Sequence, residues 1–157
     1  MIPWDLVEKY SNEYGLDKYL VAAIILKESR CDNFAIRYEP SFRYRFLPYK
    51  YARINNISEI TENLLQATSI GLMQTMGCVV RELGFTKNLL ELTNPEISIE
   101  YGCKKLKQLI EREDNLNDAI ASYNAGSVLY DSKGVYKNQK YVNDVLGNMN
   151  KLKGENK

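Results

Sequence analysis

A chain of 157 residues, 45% hydrophobic and 26% charged, has the size and mixture of one compact domain able to bury a core. Its formal net charge of +1 argues against a nucleic-acid partner, and the absence of histidine excludes Ser-His-Asp and Cys-His nucleophile systems and every zinc site built on imidazole. Cys31, Cys78 and Cys103 are odd in number and lack CxxC spacing, so they read as core thiols, with one bridge and a leftover thiol as the lesser alternative; no metal or cofactor is expected.

In chain order, Pro3 suits the first turn of a helix that runs through Trp4, Leu6, Val7 and Tyr10 and stops near Gly15. Asp17 caps a second helix ending around Ser29. Residues 30–56 are rich in Arg, Tyr, Phe and Pro without a sustained period, which predicts an ordered loop region with room for short strands or helical turns. Ser58 opens a short helix. From Gly71 a longer helix is predicted, carrying Leu72, Met73, Met76, Val79, Val80 and Leu83 on one stripe before Gly84 ends it. Asn94-Pro95-Glu96 reads as N-cap, first-turn proline and first-turn acid of a helix with Ile99, Cys103, Leu106 and Ile110 in register. A further helix covers 118–125 and closes at Gly126. Tyr141, Val142, Val145, Leu146 and Met149 mark a final amphipathic helix, with the Lys-rich tail beyond about residue 150 expected to fray. The sum is a single, mostly helical domain over residues 1–157, with one irregular insert around residues 31–57.

The stretch Ala22-Ala23-Ile24-Ile25-Leu26-Lys27-Glu28-Ser29-Arg30 holds the leading candidate for chemistry. Glu28 falls three, four and seven residues after Ile25, Ile24 and Val21, near the middle of an apolar stripe. A carboxylate there must be paired, protonated, or placed where the core opens onto a cleft. Apolar surroundings and the negative end of the helix dipole both disfavour its anion, and a carboxyl still protonated near neutral pH can give its proton to a leaving oxygen. Ser29 can hold the carboxyl or a substrate group by hydrogen bond. The plain alternative is a glutamate at a frayed helix end, paired with Arg30 or Arg37. Gln74 lies opposite the stripe predicted for its own helix, so it is either solvated or turned into a polar cleft. Ser122, Tyr123, Asn124 and Gly126 read locally as an ordinary helix end.

Five motifs stand in one order: Glu28-Ser29, Gly71-Leu72-Met73-Gln74, Asn94-Pro95 leading into a helix, Tyr123-Asn124-Ala125-Gly126, and Tyr141-Val142. Together they resemble the soluble lytic transglycosylase domain, the goose-type-lysozyme-like enzymes of peptidoglycan cleavage, over nearly the whole chain. Residues 35–40 and Thr61-Glu62 before Ser69-Ile70-Gly71 look most like the version carried by bacteriophages. Two stretches depart from the family: Thr75-Met76-Gly77-Cys78 stands where a proline-containing turn is common, and the insert over residues 37–57 is long and aromatic.

The resemblance implies a lysozyme-like fold of the α+β superfamily in which Glu28 is the catalytic acid and then the base. It also implies that Ser69, Met73, Gln74, Tyr123 and Asn124 line the sugar cleft, with Tyr141 near the acid. The implied reaction cuts the β-1,4 bond between N-acetylmuramic acid and N-acetylglucosamine, leaving a 1,6-anhydro end. Glu62, Glu39 and Asp32 are the carboxylates to watch for a second role, as base for a water in a hydrolase or as a purely structural partner, Glu62 first, with a solvated helix position as its plainer reading. Arg37, Arg43 and Arg45 can meet wall carboxylates or form a solvated cluster. The expected partner is peptidoglycan, the expected state a monomer. No basic stretch followed by an apolar core opens the chain, and no run approaches about 18 apolar residues. Synthesis in a host cytoplasm or carriage in a virion, with action on the wall outside, is the matching expectation. Alternatives are a hydrolytic muramidase using Glu62, a wall-binding or virion module without turnover, and a helical interaction domain with Glu28 salt-bridged.

Overall fold

The computed structural model describes residues 1–155. Helix α1 (Trp4–Tyr14) ends where Gly15 takes a left-handed φ of 64°, and α2 (Lys18–Glu28) starts where the Asp17 carboxylate accepts from the Tyr19 amide at 2.8 Å. All side chains at positions 20–25 are buried, so α2 is apolar all round and forms the central helix of the molecule. The one-sided stripe read from the sequence is therefore too narrow. Glu28 leaves the core because the helix reaches its end there.

The insert is less irregular than expected. It holds strand β1 (Ile36–Tyr38) and helix α3 (Pro48–Asn55), followed by α4 (Glu59–Gln66), where Ser58 accepts from the Thr61 amide at 3.0 Å as its N-cap. The long helix predicted from Gly71 is not formed. Instead β2 (Thr68–Ile70) and β3 (Thr75–Met76) make an antiparallel hairpin with Ser69 opposite Met76, and β1 joins it antiparallel with Arg37 opposite Ser69. Only Gly77–Glu82 is helical, as α5. The apolar spacing was real but served two clusters: Leu72 and Met73 enter the main core, whereas Val80 packs with Ile70, Phe85, Leu89 and Leu92.

The turn between β2 and β3 explains why tertiary contacts prevail here. Gly71 has φ 81° and donates its amide to the Ala35 carbonyl at 2.9 Å, and Gln74 also takes a positive φ, 47°. A Cβ on Gly71 would stand 2.1 Å from the Leu92 carbonyl oxygen and 2.7 Å from Ser98 Oγ. The close backbone approach that a glycine permits is thus made to a neighbouring segment of the chain. Gly71→Ala is expected to cost about 2–4 kcal/mol, from left-handed strain plus overpacking, read by denaturant unfolding. A loss below about 1 kcal/mol would contradict this packing.

A 3-10 turn (Leu89–Thr93) leads to α6 (Pro95–Arg112), capped by Asn94 onto the Glu96 amide at 2.9 Å, then α7 (Leu116–Ala125) and α8 (Gln139–Glu155). Helix α2 packs most extensively on α8, α1 lies on α6, and α6 on α7. The tail does not fray after residue 150: α8 continues to Glu155 with Leu152 buried, and residues 156 and 157 lie outside the described residues. Cys78 and Cys103 are buried free thiols and Cys31 is a partly exposed one; burial pushes the first two up to about 11 and about 12. No helix among the described residues is long and apolar enough to cross a membrane.

Candidate active site

The C-terminal end of α2, the three-stranded sheet, the middle of α6 and the C-terminal end of α7 meet around a cleft of about 390 Å³. Glu28, Ser69, Gln74, Tyr123 and Asn124 line it, as do Arg37, Glu39, Phe42, Met76 and Lys105. Five of the nine site residues expected from the sequence therefore share one cavity.

At its centre Glu28 is half-buried, and the Tyr141 hydroxyl donates to its Oε1 at 2.6 Å. Burial raises the carboxyl above its ordinary value near 4.5, opposed by the Tyr141 hydrogen bond and by the positive charges of Lys105, Arg37 and Lys27. Desolvation dominates. Tyr141 comes from α8, its ring buried against the main core, so the packing of α2 on α8 sets the position of this hydrogen bond.

The cleft walls are held from behind. Tyr123 donates its hydroxyl to the Met73 carbonyl at 2.9 Å, tying α7 to the hairpin turn. Gln74 Nε2 donates to the carbonyls of Ala35 at 2.8 Å and Gly71 at 2.9 Å, so its amide is turned inward and braces β1. Asn138 Nδ2 donates to Asn124 Oδ1 and to the Ala121 carbonyl, both at 3.0 Å, which sets the Asn124 amide at the end of α7. Arg37 pairs with Glu39 at 2.5 Å inside the cleft.

Four expected site residues are not cleft walls. Ser29 is buried and its hydroxyl donates to the Ile25 carbonyl at 3.2 Å, an intrahelical bond that leaves Glu28 to Tyr141. Met73 is fully buried against Gly102, whose added Cβ would meet its Sδ at 2.3 Å. Tyr141 stands behind Glu28. Glu62 is neither a second carboxylate in the cleft nor a solvated one: it is 0% exposed and bridged to Arg81, Nε to Oε1 at 2.8 Å and Nη2 to Oε2 at 2.9 Å. Asp32 is exposed and accepts from the Phe34 amide, and Arg45 spends its guanidinium on the carbonyls of Phe42, Tyr44 and Asn63. Glu39 alone of the three watched carboxylates reaches the cleft.

Lys105 escaped the sequence reading. It sits between Cys103 and Leu106 on α6 in a Lys-rich run that reads as a solvated face, and no local signal separates it from Lys104 or Lys107.

A small antiparallel sheet set among helices, with one lifted carboxyl facing a sugar-sized groove, defines the class of lysozyme-like glycosidases. The chain belongs to the transglycosylase SLT domain family, whose model matches residues 5–144. It is accordingly a lytic transglycosylase, and its substrate is peptidoglycan.

Proposed function

We propose that Glu28 cleaves the β-1,4 bond between N-acetylmuramic acid and N-acetylglucosamine, first as general acid and then as general base. The observation that carries this reading is the Glu28 carboxyl itself, half-buried at the cleft, engaged on Oε1 by Tyr141 and lifted by desolvation. With Oε1 accepting from Tyr141, Oε2 holds the proton that goes to the departing 4-oxygen as the C1–O4 bond breaks. The substrate N-acetyl group assists at the anomeric carbon. The carboxylate then takes the proton of the 6-hydroxyl as O6 bonds to C1, so the muramyl end leaves in its 1,6-anhydro form and Glu28 is restored. One protein carboxyl suffices for this cycle, which agrees with a cleft whose other acid, Glu39, is paired with Arg37.

The protein acts as a monomer on glycan strands, without nucleic acid, and serves a bacteriophage in lysis or cell entry. It is made in the host cytoplasm or carried in the virion and meets its substrate at the wall. Mass spectrometry of digested peptidoglycan tests the chemistry: anhydromuramyl ends are expected. Reducing ends would make the enzyme a muramidase that activates water, and bound wall without soluble fragments would make it a binding module.

A further inference from the structure

Lys105 places a cation at the wall of the cleft. Its Nζ donates to the Tyr123 carbonyl at 2.7 Å and lies 3.9 Å from the centroid of the Tyr123 ring. Tyr123 is in the last turn of α7, where carbonyls lack intrahelical partners and the dipole is negative, so the ammonium is fixed as a cation at a helix C-terminus. Among the described residues no ion pair includes Lys105, whereas Arg37, the other cation in the cleft, is matched by Glu39. These contacts hold the ammonium in place without neutralising it, so the cleft it shares with Glu28 carries a fixed positive charge.

We propose that Lys105 is a positioning residue of the reaction, its anchored ammonium serving as the countercharge for the Glu28 carboxylate during the interval between proton donation and proton return. The inference rests on Glu28 being the acid. When the Glu28 proton moves to the departing oxygen, a negative charge forms inside the cleft, and a fixed cation there stabilises the transition state more than the neutral ground state. Lys105 keeps its own proton throughout, so the balance of the two proton transfers is unchanged.

The groups that face this pair come from five elements. Lys27 comes from α2, Arg37 from β1 with its partner Glu39 just beyond that strand, Cys78 from α5, Tyr123 from α7 and Tyr141 from α8. Burial pulls the Lys105 ammonium down to about 8, against the opposing pull of the Glu28 charge and the weaker one of Cys78, so it is charged at neutral pH.

The test is the pH dependence of kcat and kcat/KM on purified peptidoglycan for the wild type, Lys105→Met, Lys105→Gln and Lys105→Arg, with folding checked by circular dichroism and thermal melting. Glutamine keeps an N–H for the Tyr123 carbonyl and methionine keeps the stem, so either neutral variant decides the matter if it folds. Removing the cation lets Glu28 hold its proton to higher pH. Both neutral variants are therefore expected to lose about tenfold in kcat and to move the alkaline limb upward by at least about half a pH unit, while Lys105→Arg keeps the limb in place. A folded neutral variant whose limb stays at the wild-type pH overturns the proposal, even if its activity falls, because a merely structural lysine lowers rate without moving a titration. Failure of the underlying reading looks different: Glu28→Gln would then retain activity.

Discussion

Glu28→Gln is expected to lower kcat on peptidoglycan by at least about 10³-fold while the protein stays folded, the size of effect found when a positioned general acid is lost. Glutamine keeps the volume and the acceptor for the Tyr141 hydroxyl, so the 2.6 Å contact survives as an ordinary hydrogen bond. What disappears is the transferable proton. Stability should not fall and can rise. Because burial lifts the folded-state carboxyl above its unfolded value, Glu28 favours the fold most where it is protonated in both states, below about pH 4.5. That favour is lost as pH rises through the lifted value, and the uncharged glutamine has no such loss. Parallel turnover assays and thermal melts at pH 7 check both halves. Clearing of the wall at wild-type rate by a folded Glu28→Gln protein would remove the proton donor from the mechanism.

The largest stability effect is expected away from the cleft, at the Glu62–Arg81 pair. Both side chains are fully buried. Arg81 also donates from Nη1 to the carbonyls of Phe85 at 2.8 Å and Lys87 at 2.7 Å and lies 4.4 Å from the Tyr51 ring centroid. Gln66 donates to Glu62 Oε1 at 2.9 Å, and its amide exchanges hydrogen bonds with the Phe46 backbone. One ion pair thus joins α3, α4, α5 and the insert. Arg81→Met leaves Glu62 as a buried, unpaired carboxylate and is expected to cost about 3–5 kcal/mol, or roughly 6–20 °C in Tm for a chain of this size. Replacing both partners, Glu62→Leu with Arg81→Met, is expected to recover much of that loss, since an apolar pair leaves no stranded charge. A single variant costing below about 1 kcal/mol would show that the pair is not buried as described.

The main features of the fold were legible because they rest on local chemistry. Asp17, Ser58 and Asn94 cap helices through bonds to amides two or three residues away, and Gly15 and Gly126 close helices through a conformation that costs glycine little. Residues 71–83 misled for a definable reason. Their apolar spacing fits a helix, but Gly71 bonds to Ala35 and nests against Leu92, and contacts 21 to 36 positions away in the chain outweigh a propensity of a few tenths of a kcal/mol per residue.

The site divides in the same way. Local spacing nominated Glu28, the family resemblance added Ser69, Gln74, Tyr123 and Asn124, and these five share the cleft. Which carboxylate would be spent on structure was not readable: Glu62 meets Arg81 19 residues along the chain, and Glu39 meets Arg37. Nor was the selection of Lys105 from a run of lysines. Sequence by itself determined the capped starts at Asp17, Ser58 and Asn94, the glycine stops at Gly15 and Gly126, and which acid ends the central helix, because those are decided by neighbours within a turn or two. The hairpin, the pairing of each charge and the depth of each ionisable group were decided by tertiary structure, because desolvation and ion pairing depend on what the rest of the chain brings alongside.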